Sequence, residues 1–259
     1  MLQKPARRPQ FFYTTAPLAC PYLAGRTERK VVTELTGADA EALHDRLSRA
    51  GFRRSHNIAY APVCPGCRAC IPIRVNVAAF EPNRTQRRLI AANAGIEGFE
   101  VPARATSEQF ALFQRYQAVR HADGDMAAMG FYDYRAMVED TPIETVVVEF
   151  RDHTDALVAA CLTDRLADGL SAVYSFFDPA FTGRSLGTWM VLWLVKRAAE
   201  LRLPFVYLGY WVPESRKMAY KARFRPSEIL WNGQWRMLTD AEIETGPLTV
   251  PAEATITAG

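Results

Sequence analysis

Apolar and polar positions alternate in IPIRVNVAAF, where Ile71, Ile73, Val75 and Val77 share one face, so a strand is expected there. Upstream, GADAEALHDRLSRAGF has a helical rhythm: Ala40, Leu43, Leu47 and Ala50 fall on one side, and Gly51 stops the helix. A further helix is expected at TSEQFALFQRYQAVR, capped by Thr106 or Ser107 with Glu108 or Gln109 near the capping-box position. Strands follow at ETVVVEF, ALVAACLTDRL and LSAVYSFFDP. The long helix SLGTWMVLWLVKRAAELRL takes Ser185 as its cap and ends in basic residues. Pro204 introduces a buried strand, FVYLGYW, and Ser215 caps a last helix that runs to Phe224 and stops at Pro226. EPNRTQRRLIAANAGIEG reads as a linker or surface crossing, and the chain beyond about residue 240 as a frayed tail.

This order predicts an α/β (α+β) layered fold with a mixed sheet. The strand–helix–strand unit at 171–211 should form a right-handed parallel crossover. The expected division is an N-terminal domain at 1–100, a C-terminal domain at 101–240 and a tail at 241–259. The net charge of +3 is too small for a protein that coats nucleic acid, so any such contact should be local. The N-terminus lacks an apolar core of signal-peptide length, and the run Leu186–Val195 is about half of a membrane span. A cytoplasmic protein with no membrane partner is expected.

Three stretches carry candidate chemistry. In DPAFTGRSLGTW a strand passes through a loop into a helix, and Arg184, Ser185 and Gly187 stand at a helix start suited to an anion. The loop resembles the acyl-donor loop of the GCN5-related acetyltransferase fold, with fewer glycines. In ESRKMAYKARFRP, Arg216, Lys217, Lys221, Arg223 and Arg225 fall within ten positions. Like charges on one helix face repel by a few tenths of a kcal/mol each, roughly, so a bound anion would relieve them; the plainer alternative is a solvated face. Tyr210 and Trp211 beside this row suit a nucleotide or a stacked base. Third, Cys20, Cys64, Cys67 and Cys70 have the spacing C-x43-C-x2-C-x2-C, which suits zinc or an iron–sulfur cluster, against packed thiols in a reduced cytosol. Asp123, Asp125 and Asp178 are the acidic candidates for a base.

FYTTAPLACPYLAGRTERKV, GFRRSHNIAYAPVCPGCRACIPIRV, YSFFDP, RSLGTWMVLWLVKRAAEL and FVYLGYWVPESRKMAYKARFRP together resemble the aminoacyl-tRNA–protein transferases of the N-degron pathway, in particular the bacterial aspartate/glutamate leucyltransferases. The resemblance spans residues 11–235. It implies a smaller cysteine-containing N-terminal domain followed by an acetyltransferase-like catalytic domain. The implied reaction moves leucine from leucyl-tRNA to the N-terminal amine of proteins that begin with Asp or Glu, marking them for degradation. Arginine is the alternative cargo. No cofactor is required for the transfer, since the acyl ester is already activated. On this reading Asp178 and Tyr210 serve the reacting centre, and Arg216 and Lys217 bind the acceptor. Arg184, Ser185, Gly187, Lys221, Arg223 and Arg225 bind tRNA. Two other classes remain open: a coenzyme A-dependent N-acetyltransferase, and a non-catalytic metal-dependent binder of tRNA or peptide.

Overall fold

In the computed structural model, which describes residues 9–122 and 124–247, the expected alternation at Ile71, Ile73 and Val75 is buried in the middle of a large sheet. The chain begins with strands β1 (Tyr13–Thr14), β2 (Leu18–Ala19), β3 (Thr27–Glu28) and β4 (Lys30–Glu34). Helix α1 (Ala40–Arg49) leads to β5 (Arg53–Ser55), β6 (Ile58–Pro62) and β7 (Ile71–Asn76). Then come α2 (Arg84–Ala92), β8 (Glu97–Pro102), α3 (Ser107–Arg120) and α4 (Phe131–Glu139). Strands β9 (Thr145–Arg151), β10 (Leu157–Leu166) and β11 (Gly169–Phe177) precede α5 (Leu186–Glu200) and β12 (Phe205–Trp211). The described part closes with β13 (Ser227–Trp231), β14 (Gln234–Met237) and α6 (Asp240–Thr245).

Eight strands form one sheet in the order β14-β13-β7-β12-β11-β10-β9-β8. Every neighbouring pair in it is antiparallel except β11 and β12, which α5 connects as a parallel crossover. The fold is thus α+β, with a run of antiparallel strands followed by a helix and a parallel strand. A smaller sheet has the order β1-β4-β6-β5. The large sheet also takes β7 and β8, at 71–102, so its strands come from both sides of residue 100.

Side chains in successive strand positions point to opposite faces, and both faces of the large sheet are covered. Val148, Ala159, Cys161, Leu170 and Val206 pack with Leu186, Trp189, Met190 and Leu194 of α5. Their neighbours Val147, Ala160, Leu162 and Phe176 pack with Leu112 and Phe113 of α3 and Tyr134 and Val138 of α4. This double coverage explains the near-continuous apolar runs of the central strands. Among the described residues no helix is long and apolar enough to cross a membrane.

Several local expectations are corrected. The stretch read as a linker forms α2, because Asn83 and Gln86 close a capping box and Leu89 packs on the α5 side of the sheet. Ser185 precedes α5 in a left-handed conformation, φ 45°, and its hydroxyl makes no cap. The helix expected over 215–224 is only a short 3-10 turn at Ala219–Arg223, because Lys221, Ala222 and Phe224 all turn inward. The expected tail opens with α6, which Thr239 and Glu242 cap reciprocally; residues 248–259 lie outside the described part.

The small sheet is fastened to the large one by a buried ion pair. Arg54 of β5 donates from Nε and Nη2 to Asp164 of β10 at 2.8 and 2.7 Å. Thr145 Oγ1 donates to the same carboxylate at 2.9 Å, and His44 Nε2 lies 3.6 Å from it. Burial, with the Arg54 charge, pushes His44 below its ordinary value, towards neutral imidazole. Removing one partner of such a pair strands the other charge in the interior. Asp164→Ala should therefore lower unfolding stability by about 3–5 kcal/mol, measured by urea denaturation.

Candidate active site

The parallel pairing of β11 with β12 is short. Gly169, Leu170 and Ser171 face Phe205, Val206 and Tyr207, and beyond them the two strands separate. The register of β12 against β7 shifts between Tyr207 and Tyr210, around Gly209 at φ +74°. The result is a fork, open toward the C-terminal ends of both strands, where α/β sheets commonly place ligands.

Arg53 fills the fork. On β5, consecutive side chains diverge: Arg54 goes to Asp164, and Arg53 reaches β11. Its Nη2 donates to the carbonyl oxygens of Ala172 and Val173 at 3.2 and 2.9 Å, just beyond the paired stretch of the two strands. Gly209 makes this approach feasible, because a Cβ there would fall inside the guanidinium.

Aromatic rings surround this charge. The Arg53 guanidinium carbon lies 6.0 Å from the Tyr210 ring centre, and Tyr22, Tyr60 and Tyr220 also lie near enough to influence its charge. Burial pushes the Tyr22 and Tyr220 hydroxyls up to about 12. Lys221 Nζ donates to the Tyr210 carbonyl at 2.9 Å. Burial, and then the Arg53 charge, push the Lys221 amine well below its ordinary value. Further out, Tyr116 of α3 meets Phe177 of β11 edge-on at 5.0 Å, and the Arg120 guanidinium lies 5.6 Å from the Phe177 ring centre. His121 is lowered by burial and by the charges of Lys217 and Arg120, which places the basic segment after β12 beside the end of α3. The fork thus has a cationic floor, tyrosine walls and a basic mouth.

The sequence candidates are distributed around it. Arg216, Lys217 and Arg223 are exposed. Lys221 is not part of an exposed basic row, being 7% exposed and tied to Tyr210, which corrects its placement as a surface contact for tRNA. Arg225 donates to Asp240 at 2.7 Å. The buried Tyr210 hydroxyl faces the carbonyls of Gly51 and Tyr60 at 3.1 and 3.2 Å, so its geometry is that of a positioning residue. Asp178 accepts from the Ala180 amide at 2.9 Å and from Arg115 at 3.3 Å. The Arg184 carbonyl accepts from Asn93 Nδ2 and its Nη1 donates to Ala92, joining the start of α5 to α2. Exposed Ser185 lies next to it, and Gly187 packs near the Phe177 ring. Asp125 is exposed in a 3-10 turn, and Asp123 lies outside the described residues.

The four N-terminal cysteines converge. Burial pushes the Cys70 thiol up to about 12, with smaller contributions in the same direction from Cys20, Cys64 and Cys67. Cys64 Sγ lies 3.4 Å from the Arg29 amide nitrogen, and Arg26 Nη1 lies 3.5 Å from Cys67 Sγ. Cys64, Cys67 and Cys70 line a cavity of about 290 Å³ together with Arg68, Trp231 and Asn232. The thiol set has the chemistry of a zinc or iron–sulfur site. Its arrangement does not fit one here: among the described residues no group of three or more His, Cys, Asp and Glu side chains is placed to hold a metal ion.

Arg53, Tyr22, Tyr60, Tyr116 and His121 are the site residues that sequence reasoning missed. One signal was present: an isolated glycine inside an apolar strand, as in FVYLGYW, marks a bulge or a close approach of another group.

Residues 18–88 match the family described as arginine-tRNA-protein transferase, N terminus, and residues 108–231 match arginine-tRNA-protein transferase, C terminus. A relative from Gluconacetobacter diazotrophicus, named aspartate/glutamate leucyltransferase, is 64% identical over 253 residues, covering 96% of this chain and 97% of its own. One of the same name from Granulibacter bethesdensis is 64% identical over 261 residues, covering 99% and 98%. The chain belongs to this tRNA–protein transferase family. Among solved structures, the C-terminal domain of a putative lysylphosphatidylglycerol synthetase from Agrobacterium fabrum aligns at 13% identity with a TM-score of 0.48, over 79% of this chain and 67% of that one.

In this member of the transferase family, the fork depends on Gly209. Gly209→Ala should cost at least ~1 kcal/mol from the left-handed backbone alone, and it should also expel Arg53 from its bonds to β11. Urea denaturation reads the first effect, and a loss of transferase activity larger than the stability change explains reads the second.

Proposed function

We propose that the protein transfers leucine from leucyl-tRNA to the N-terminal amine of proteins that begin with Asp or Glu, marking them for degradation. The observation that carries this reading is the fork between β11 and β12, with half-buried Arg53 and buried Lys221 on its floor and a basic mouth, in a chain whose near-full-length relatives bear that enzyme name. In the transfer, the acceptor amine attacks the ester carbonyl carbon of the aminoacyl-tRNA. A C–N bond forms, the ester C–O bond breaks, and the proton lost by the amine ends on the released ribose hydroxyl. The ester is already activated, so the protein has chiefly to align the two reactants and favour the negative charge that develops on the carbonyl oxygen.

Exposed Arg216 and Lys217 stand at the mouth for the acidic acceptor. Arg184, Ser185, Gly187 and Arg223 are assigned to the tRNA end, and the exposed Arg184 and Arg223 supply the charge. Asp178, held by Arg115, is the candidate to relay the amine proton. A coenzyme A donor is disfavoured by the loop at Arg184–Thr188, which has few glycines and so few bare amides to crowd round a pyrophosphate.

Purified protein should transfer labelled leucine from leucyl-tRNA to an Asp-initiated peptide, in a ribonuclease-sensitive manner and faster than arginine from arginyl-tRNA. Faster arginine transfer would reverse the cargo and leave the reaction class standing. Acetyl transfer from acetyl coenzyme A without tRNA would replace the reading altogether.

For Cys20, Cys64, Cys67 and Cys70 the proposal is a thiolate-bound zinc ion or iron–sulfur cluster with a folding role. It rests on their spacing and convergence, and it requires a tighter arrangement of the thiols than this structure has. Protein purified anaerobically should carry zinc or iron by elemental analysis. Each of Cys64→Ser, Cys67→Ser and Cys70→Ser should then lower stability to a similar degree, since loss of one ligand removes most of the binding energy. Full stability and activity without either metal would leave the thiols as packing groups.

A further inference from the structure

Two cations in the site differ from the buried arginines elsewhere in the sheets. Arg54 is matched by Asp164, and Arg74 of β7 by Glu228 of β13 at 2.7 Å. Arg53 and Lys221 have no such partner: among the described residues neither forms an ion pair with a carboxylate. The titratable groups beside them are the phenols of Tyr22, Tyr60, Tyr210 and Tyr220, the Cys70 thiol and, for Lys221, the Arg53 guanidinium, none of them a carboxylate. Lys221 uses one of its three donors, on the Tyr210 carbonyl. Arg53, which is half-buried, uses Nη2 on the two β11 carbonyls, while its Nε and Nη1 have no hydrogen-bond partner among the described residues. Partly buried cations that repel each other and lack a counter-charge are costly to hold, and an anion arriving from outside relieves both.

The anion has to be small. Lys221 is 7% exposed and Arg53 half-buried, which leaves no room to thread the phosphodiester of a polynucleotide past them, whereas a carboxylate on a one- or two-carbon stem is compact. Discrimination also belongs at depth. The exposed Arg216 and Lys217 are screened by solvent and separate a carboxylate from an amide poorly, whereas enclosed donors do so well.

We propose that Arg53 and Lys221 bind the side-chain carboxylate of the acceptor's N-terminal Asp or Glu, and that Arg216 and Lys217 only gather acidic peptides at the mouth. This rests on the acceptor class given under Proposed function and assigns its recognition to named residues. An amide in the same place presents an NH2 donor to donors, so Asn- and Gln-initiated peptides are rejected.

The test separates binding from transfer. Wild-type protein without tRNA is titrated with the dipeptide amides Asp-Ala and Asn-Ala by calorimetry. Asp-Ala should bind about 10- to 100-fold more tightly, the range for a charge-assisted hydrogen bond. In Lys221→Met and Arg53→Gln, checked for cooperative thermal unfolding, that ratio should fall toward one, with the KM for peptide rising and the KM for aminoacyl-tRNA within about twofold of wild type. Lys217→Ala should keep the ratio. If either variant fails to fold, the wild type decides: Asp-Ala, and not Asn-Ala, should protect Lys221 from amine acylation as read by mass spectrometry. Equal binding of the two dipeptides, or folded variants that keep the preference, overturns the site. Selective binding with no transfer from leucyl- or arginyl-tRNA overturns the proposed function and leaves the site standing.

Discussion

The bidentate bond between Arg54 and Asp164 is the contact on which the other features of the site depend. It fixes β5 of the small sheet against β10 of the large one, and so fixes where the neighbouring Arg53 points. Thr145 and His44 complete the carboxylate's surroundings, so that a charge with no access to water is still fully engaged. Such an arrangement gives little net stability over an apolar alternative. What it gives here is direction: two sheets are held in one relation, with a guanidinium delivered into the gap between two strands.

That gap reverses the usual logic of a sheet. Strand pairing normally satisfies backbone groups with other backbone groups. At the fork, the carbonyls of Ala172 and Val173 are satisfied by a side chain that carries a charge. The same bond engages strand backbone and stations a cation just beyond the paired stretch of the parallel strands. Tyr210 works in a similar double way: its hydroxyl faces the small sheet while its carbonyl holds Lys221.

The strands and long helices were legible in the sequence because their periods are strong. β9, β10, β11 and β12 read as apolar runs since the sheet is buried on both faces, and α5 has few alternatives to a buried helix. The place of β7 between β13 and β12 was not legible, because pairing between distant segments leaves no mark in local spacing. In the basic run 216–225 the sequence shows charge and hides burial. Lys217 and Lys221 have the same side chain four residues apart, yet one is solvated and the other lies under Tyr210. Arg53 was hidden for a related reason, since two adjacent arginines look alike until a strand sends them to opposite sides.

That adjacency ties two roles to a single register. On a strand with period two, a slip of one residue exchanges the faces of all its side chains. In β5, such a slip would carry Arg54 toward the fork and leave Asp164 facing the position of Arg53 or Ser55. The span from the Gly51 turn, at φ +88°, to His56, at φ +53°, therefore works as a ruler of fixed length. Loops elsewhere on a protein surface accept insertions, but one added or removed residue between Gly51 and Ser55 would misdirect the joint and the site together.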